Sequence, residues 1–171
     1  MKIVAALVIP IVVAILLNEI GRTYVKRSIQ TLIYLPHFLS WIILGGILIA
    51  VLSPSEGIVN KFLGLLGIPS IYFLGDNTWF PITVVLTDTW KEFGFATIVY
   101  LAALTSINPN LYEAAIVDGA NRWKQTLHIT LPGMMPIIIL LTTLSLGNIL
   151  NAGFDQIFNL YSPQVYESGD I

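Results

Sequence analysis

Four apolar runs constrain this chain more than any other feature. They cover residues 3–17, 32–52, 81–104 and 133–150. At about 1.5 Å per residue, each of the last three is long enough to cross a hydrocarbon core of about 30 Å. The first reaches only about 22 Å on the same rise and reads as the second half of a span. It passes straight into Asn18-Glu19-Ile20-Gly21 with no small-residue cleavage site, so it is read as membrane-embedded rather than as a signal peptide. The expected fold is all-α, a polytopic bundle with about four spans in a single transmembrane domain over residues 1–171.

Composition narrows the function. The chain is 56% hydrophobic and 11% charged, against about 25% charged in a soluble domain, which removes the soluble enzymes. A net charge of −2 provides no basic field for nucleic acid. With no cysteine, disulfides, thiolate zinc sites and cysteine nucleophiles are excluded. His37 and His128 each stand alone, without a second ligand at metal spacing. No phosphate-binding loop, dinucleotide turn or Ser/His/Asp arrangement is present. The chain is therefore expected to have no catalytic residue, no metal and no cofactor of its own, and not to hydrolyse ATP.

The two longer polar links differ in character. Residues 53–80 are rich in Gly, Pro and Asn, with a short apolar stretch at 62–66 suited to an interfacial helix. Residues 105–132 carry helix formers, with Gly119 the one internal glycine. Here Asn108 is a good N-cap, Pro109 suits the first helical position and Gly119 can take the left-handed conformation that ends a helix. Asn121 can cap a second short helix, which Pro132 is expected to close. Lys and Arg in short loops set orientation. Arg22, Lys26 and Arg27 in one link, with Arg122 and Lys124 in the other, outweigh Lys2 and Lys61. Both helical links are therefore placed inside, and the tail from residue 151, which has no basic residue, outside.

The link at 105–132 holds the most informative pattern: Glu113-Ala114-Ala115, three residues ending at Asp118, Gly119, nine residues, then Ile129-Thr130-Leu131-Pro132. A helix over 109–118 is about 15 Å long, enough to lie along a membrane surface and dock in a groove on another protein. Ala114 and Ala115 permit close approach, Glu113 offers a carboxylate to a basic partner, and Gly119 turns the chain back. Taken alone, these residues also fit an ordinary helical hairpin with a solvated Glu113. The spaced pattern as a whole resembles the EAA loop of permease subunits of ABC importers.

The resemblance continues through Leu17-Asn18-Glu19-Ile20, Tyr34-Leu35-Pro36-His37-Phe38-Leu39-Ser40-Trp41, Thr89-Trp90-Lys91-Glu92-Phe93-Gly94 and Asp118-Gly119-Ala120-Asn121-Arg122. These segments look like the carbohydrate-importer branch, most similar to Lpl-type permeases for oligosaccharides and polysaccharide fragments. The resemblance implies a multi-pass subunit of the bacterial inner (plasma) membrane with its EAA loop cytoplasmic. Its implied partners are cytoplasmic ABC ATPase subunits, a second permease subunit, an extracytoplasmic solute-binding protein, a carbohydrate and membrane lipid. ATP is bound by the ATPase partner, and the coupling residues would be Glu113, Ala114, Ala115, Asp118, Gly119, Ile129, Leu131 and Pro132. Such permeases carry further spans at both ends, so the chain is expected to be truncated at both ends.

Polar groups inside the apolar runs are the candidate substrate path. Thr142, Ser145 and Asn148 recur at intervals of three, with Asn151 one step on. Such groups face a protein interior or a water-filled path; hydrogen bonding between helices is the competing use. Asp88, Lys91 and Glu92 fall within one turn, where Lys91 can reach Asp88. Trp90 either stacks on a sugar or anchors the chain at the interface. The path candidates are Asp88, Trp90, Ser145, Asn148 and Asn151. Two competing classes are a truncated, non-transporting assembly subunit and a proton-driven transporter, for which only Asp88 and Glu92 offer buried carboxylates.

Overall fold

A computed structural model describes residues 2–147 and 153–168, and among them every regular element is helical. In chain order these are α1 (Lys2–Glu19), α2 (Thr23–Tyr34), a 3₁₀ turn (Leu35–Phe38), α3 (Trp41–Leu52), α4 (Ile58–Leu65), α5 (Trp79–Thr105) and α6 (Pro109–Val117). Then come α7 (Arg122–Gln125), a π-type turn (Thr126–Thr130), α8 (Leu131–Gly147), α9 (Phe154–Leu160) and a closing 3₁₀ segment (Pro163–Ser168). Among the described residues, one continuous helical run, Arg122–Gly147, can cross a membrane by length and composition; Thr23–Phe38 with Trp41–Leu52 makes a second if that bent pair is one span.

The chain divides into two units. The first comprises Ile3–Tyr34 and Glu92–Ile149. Ala14 and Leu17 of α1, Tyr100, Leu101 and Leu104 of α5, and Met134 of α8 form its buried cluster. Where α5 passes α2, a Cβ on Gly94 would collide with the Ile33 carbonyl. Close backbone approach at small residues is how helices associate when lipid is as apolar as leucine and burial alone gives no preference.

The second unit comprises Leu35–Lys91 and Leu150–Ile171. Leu74, Phe80, Val84, Leu160 and Val165 are its core, with Leu48 and Leu52 against them. Hydrogen bonds from buried polar groups supplement this small core. The Gln156 Nε2 donates to Val84 O at 2.8 Å and to Thr87 Oγ1 at 2.9 Å, tying α9 to α5. Asp76 caps the start of α5, its Oδ1 accepting from the N–H groups of Thr78 and Trp79 at 2.8 and 3.1 Å.

One apolar run is built in two pieces, and one expected helix end needs correction. Residues 32–52 are not one unbroken helix; a 3₁₀ turn and a break separate α2 from α3. Pro36 lies in the 3₁₀ turn that ends the first arm, where it lacks an N–H for the helical ladder, and the break itself falls between Phe38 and Trp41. Ser40 restarts the helix by accepting from Ile43 N–H at 3.3 Å. Lys91 Nζ donates to His37 O at 2.9 Å and lies 5.7 Å from the centroid of the Trp41 ring. A carbonyl released by the break is thus paired.

Pro132, in turn, does not close a helix. The run from Arg122 continues through it to Gly147, because the five-residue turn before it widens to π geometry, with Leu131 N–H bonded to Thr126 O. A π-bulge shifts the hydrogen-bond ladder, so the missing N–H and the ring are accommodated rather than terminal. The far end of the fourth apolar run, residues 148–150, lies outside the described residues.

Candidate functional site

The EAA pattern folds into a hairpin in the first unit. Asn108 Oδ1 accepts from Asn110 N–H at 3.0 Å and caps α6, with Pro109 at its first turn. At the other end Gly119 has φ +74°, open space around its Cβ position and a pair of terminal bonds: Gly119 N–H to Ile116 O at 3.0 Å and Ala120 N–H to Ala115 O at 2.8 Å. These are the two bonds of a Schellman ending, which a glycine permits without a Cβ penalty. Asn121 starts the return limb, its Oδ1 accepting from Lys124 N–H at 2.9 Å.

Two side chains link the halves of the motif. Tyr112, which precedes Glu113, has its hydroxyl 3.0 Å from Thr130 Oγ1. Thr130 is buried between Ile129 and Leu131 and donates to Gln125 O at 3.4 Å, so it accepts from Tyr112. Gln125, also buried, donates from Nε2 to Ala120 O at 3.0 Å, bracing the turn behind Gly119. His128 Nδ1 lies 3.0 Å from Lys124 O. At the surface, Arg122 Nη1 pairs with Glu19 Oε2 at 3.9 Å, an exposed pair of small energetic weight.

Outward, the hairpin is a bare surface. No residue of α6 is buried; Glu113, Ala114 and Asp118 are exposed and Ala115 is half-buried. Leu111, Ile116, Val117 and Trp123 are exposed apolar side chains around them. Glu113 has no ion pair among the described residues. Ile129 and Leu131 are half-buried and Pro132 is exposed at the start of α8. The arrangement presents a helix capped at both ends, with the Glu113 carboxylate and these apolar side chains turned outward.

The candidate path residues are more scattered. Asp88 is half-buried and partnered, Trp90 is exposed, and both belong to the second unit. Ser145 is half-buried on α8 in the first. Thr142, on the same helix, donates to Ile138 O at 2.6 Å. Asn148 and Asn151 lie outside the described residues. Sequence reasoning missed Tyr112, Thr130 and Gln125, of which Thr130 was visible as the variable position inside Ile-x-Leu-Pro. It also missed Gln156, whose partners are 69 and 72 residues away and leave no local signal.

Comparison with known proteins shows the family. A family model described as "Binding-protein-dependent transport system inner membrane component" matches residues 6–154. The chain is 40% identical over 163 residues to the polygalacturonan/rhamnogalacturonan transport system permease protein YteP of Bacillus subtilis (strain 168), covering 95% of this chain and 51% of that one. It is 44% identical over 149 residues to protein LplB of the same organism, covering 87% and 47%. A crystal structure of a bacterial ABC transporter involved in the import of the acidic polysaccharide alginate superposes with a TM-score of 0.93 at 45% identity, over 96% of this chain and 58% of that chain. The chain spans about half the length of the curated relatives it matches. On the match over residues 6–154 and these identities, the chain belongs to the family of binding-protein-dependent transport system inner membrane components.

Proposed function

We propose that this chain is the membrane-embedded, ATPase-coupling portion of a permease subunit in an ATP-driven ABC importer, and that the cargo is a carbohydrate, an oligosaccharide in particular. The observation that carries the reading is α6 with its Gly119 turn: an exposed helix stiffened at both ends, bearing Glu113-Ala114-Ala115 between two membrane-associated segments. Support for the cargo comes from relatives whose names specify polygalacturonan/rhamnogalacturonan and alginate transport.

On this reading the 109–118 helix faces the cytoplasm and seats in a cleft on an ABC ATPase subunit, and a second permease subunit completes the pathway. A solute-binding protein delivers the sugar from outside, as the alginate transporter's structure with a pentasaccharide-bound periplasmic protein suggests for its own system. ATP-driven closure of the ATPase pair moves the docked helices together, and the four apolar segments at 3–17, 32–52, 81–104 and 133–150 alternate between outward and inward access. Asp88, Trp90, Ser145, Asn148 and Asn151 line the path, where Asn and Ser supply neutral donors and acceptors to sugar hydroxyls.

The test is affinity purification of the chain from mild detergent, with Gly119→Trp as control. An ATP-binding subunit recovered in stoichiometric amount, and lost in the control, is the expected result. Its absence from the unaltered chain overturns the coupling assignment. Uptake assays should begin with galacturonate oligosaccharides, alongside neutral oligosaccharides of equal length.

A further inference from the structure

We infer that α4 is an interfacial membrane helix whose outward face is occupied by lipid, so that it holds the link between α3 and α5 at the bilayer boundary. At about 100° per residue, Ile58, Phe62, Leu65 and Leu66 fall within an arc of about 100°. All four are exposed, at 69%, 60%, 84% and 61%. The face turned the other way is anchored by a polar contact. Asn60 is buried and shares its Nδ2 hydrogens among Leu52 O, Ser53 O and Ile71 O at 3.3, 3.1 and 2.9 Å, while its Oδ1 accepts from Ile71 N–H at 2.8 Å. Gly57 lets the helix start tight against the end of α3, since a Cβ there would meet the Ser53 carbonyl. The apolar arc is therefore an outward face of fixed direction.

Lipid fits that face on three grounds. Exposed Ile42, Ile43, Ile47 and Ile49 of α3 precede the link, so the helix that leads into α4 itself carries apolar surface open to lipid. Lys61 and Glu56 form an exposed ion pair at 3.3 Å beside the arc, giving the helix a charged margin. Tyr72 and Trp79, both exposed, stand in the same link, and such residues concentrate at the headgroup level. An apolar arc with a charged margin is the disposition of helices that lie in the plane of an interface.

The inference rests on the family's membrane location and not on cargo or ATPase, so its failure leaves the transport reading standing. The absence of cysteine makes the test direct. Nitroxide labels are placed on Phe62→Cys, Leu65→Cys, Leu66→Cys and Lys61→Cys, all exposed sites whose substitution removes no core contact, and the chain is reconstituted in phosphatidylcholine/phosphatidylglycerol vesicles. Collision rates with dissolved oxygen and with an aqueous nickel chelate are compared. Labels at 62, 65 and 66 should favour oxygen over the chelate at least threefold more than the label at 61. Equal ratios at all four sites, or labels at 62, 65 and 66 shielded from both quenchers by a protein partner or a second copy, would overturn the proposal. Three apolar sites are used so that no single variant decides.

Discussion

Two short helices in the polar links, α4 and α6, start differently, on Gly57 without a side-chain cap and on the capping Asn108, but end alike. Each closes on a left-handed glycine, Gly67 at φ +76° and Gly119 at φ +74°, with the paired terminal bonds of a Schellman ending. What separates them is where polar and apolar groups point. In α4 the apolar residues gather in one arc and the buried Asn60 holds the opposite face. In α6 Leu111, Ile116 and Val117 are spread around the axis among Glu113 and two alanines, and nothing is buried. A common glycine ending closes both helices; the distribution of their side chains sets them apart.

The sharpest break of that comparison is Asn60→Leu. It leaves Ile71 N–H and three carbonyls to find other partners, and a buried unpaired polar group costs about 1–3 kcal/mol each where no relaxation occurs. A loss of about 2–4 kcal/mol is expected in thermal unfolding in detergent, whereas Asn108→Ala at the α6 cap should cost only about 1 kcal/mol. Equal losses would mean that α4 is not anchored through Asn60.

Next come the two glycines. Gly67→Ala and Gly119→Ala each force a Cβ into the left-handed region with open space around it, so each should cost about 1–2 kcal/mol and the two should agree closely. Unequal values would show that one turn carries a constraint the other lacks. Tyr112→Phe removes the bond to Thr130 and should cost about 1 kcal/mol. Because the bond lies within the hairpin, that variant should also weaken ATPase recovery while leaving the lipid contact of α4 unchanged. Glu113→Lys should change stability by less than about 0.5 kcal/mol, as an exposed site without a partner. It should nonetheless abolish ATPase recruitment, and normal recruitment would remove Glu113 from the docking surface.

The hairpin was readable because its determinants are local. Asn108, Pro109, Gly119 and Asn121 act on backbone groups within three residues of themselves, so their roles follow from residue type and spacing. Pro132 was misread for the opposite reason. Whether a proline ends a helix depends on whether the preceding turn can widen, and the π geometry at Thr126–Thr130 is supported by Thr130 and Gln125, which are buried. The break inside 32–52 was likewise hidden in a continuous apolar run, although Ser40 marks it once the partners of His37 O and Ile43 N–H are known.

By itself, the sequence determined the membrane class, the all-helical architecture and the hairpin at 105–132, because apolar length, backbone capping and motif spacing are properties of neighbouring residues. Tertiary structure alone decided that Gln156 ties α9 to α5, that Asn60 aims the apolar face of α4 outward, that Gly94 admits the Ile33 carbonyl, and that Lys91 pairs with the carbonyl at the helix break. Each is a contact between groups far apart in the chain, and burial gives a polar group no reason to choose one distant partner over another until packing has brought them within hydrogen-bonding reach.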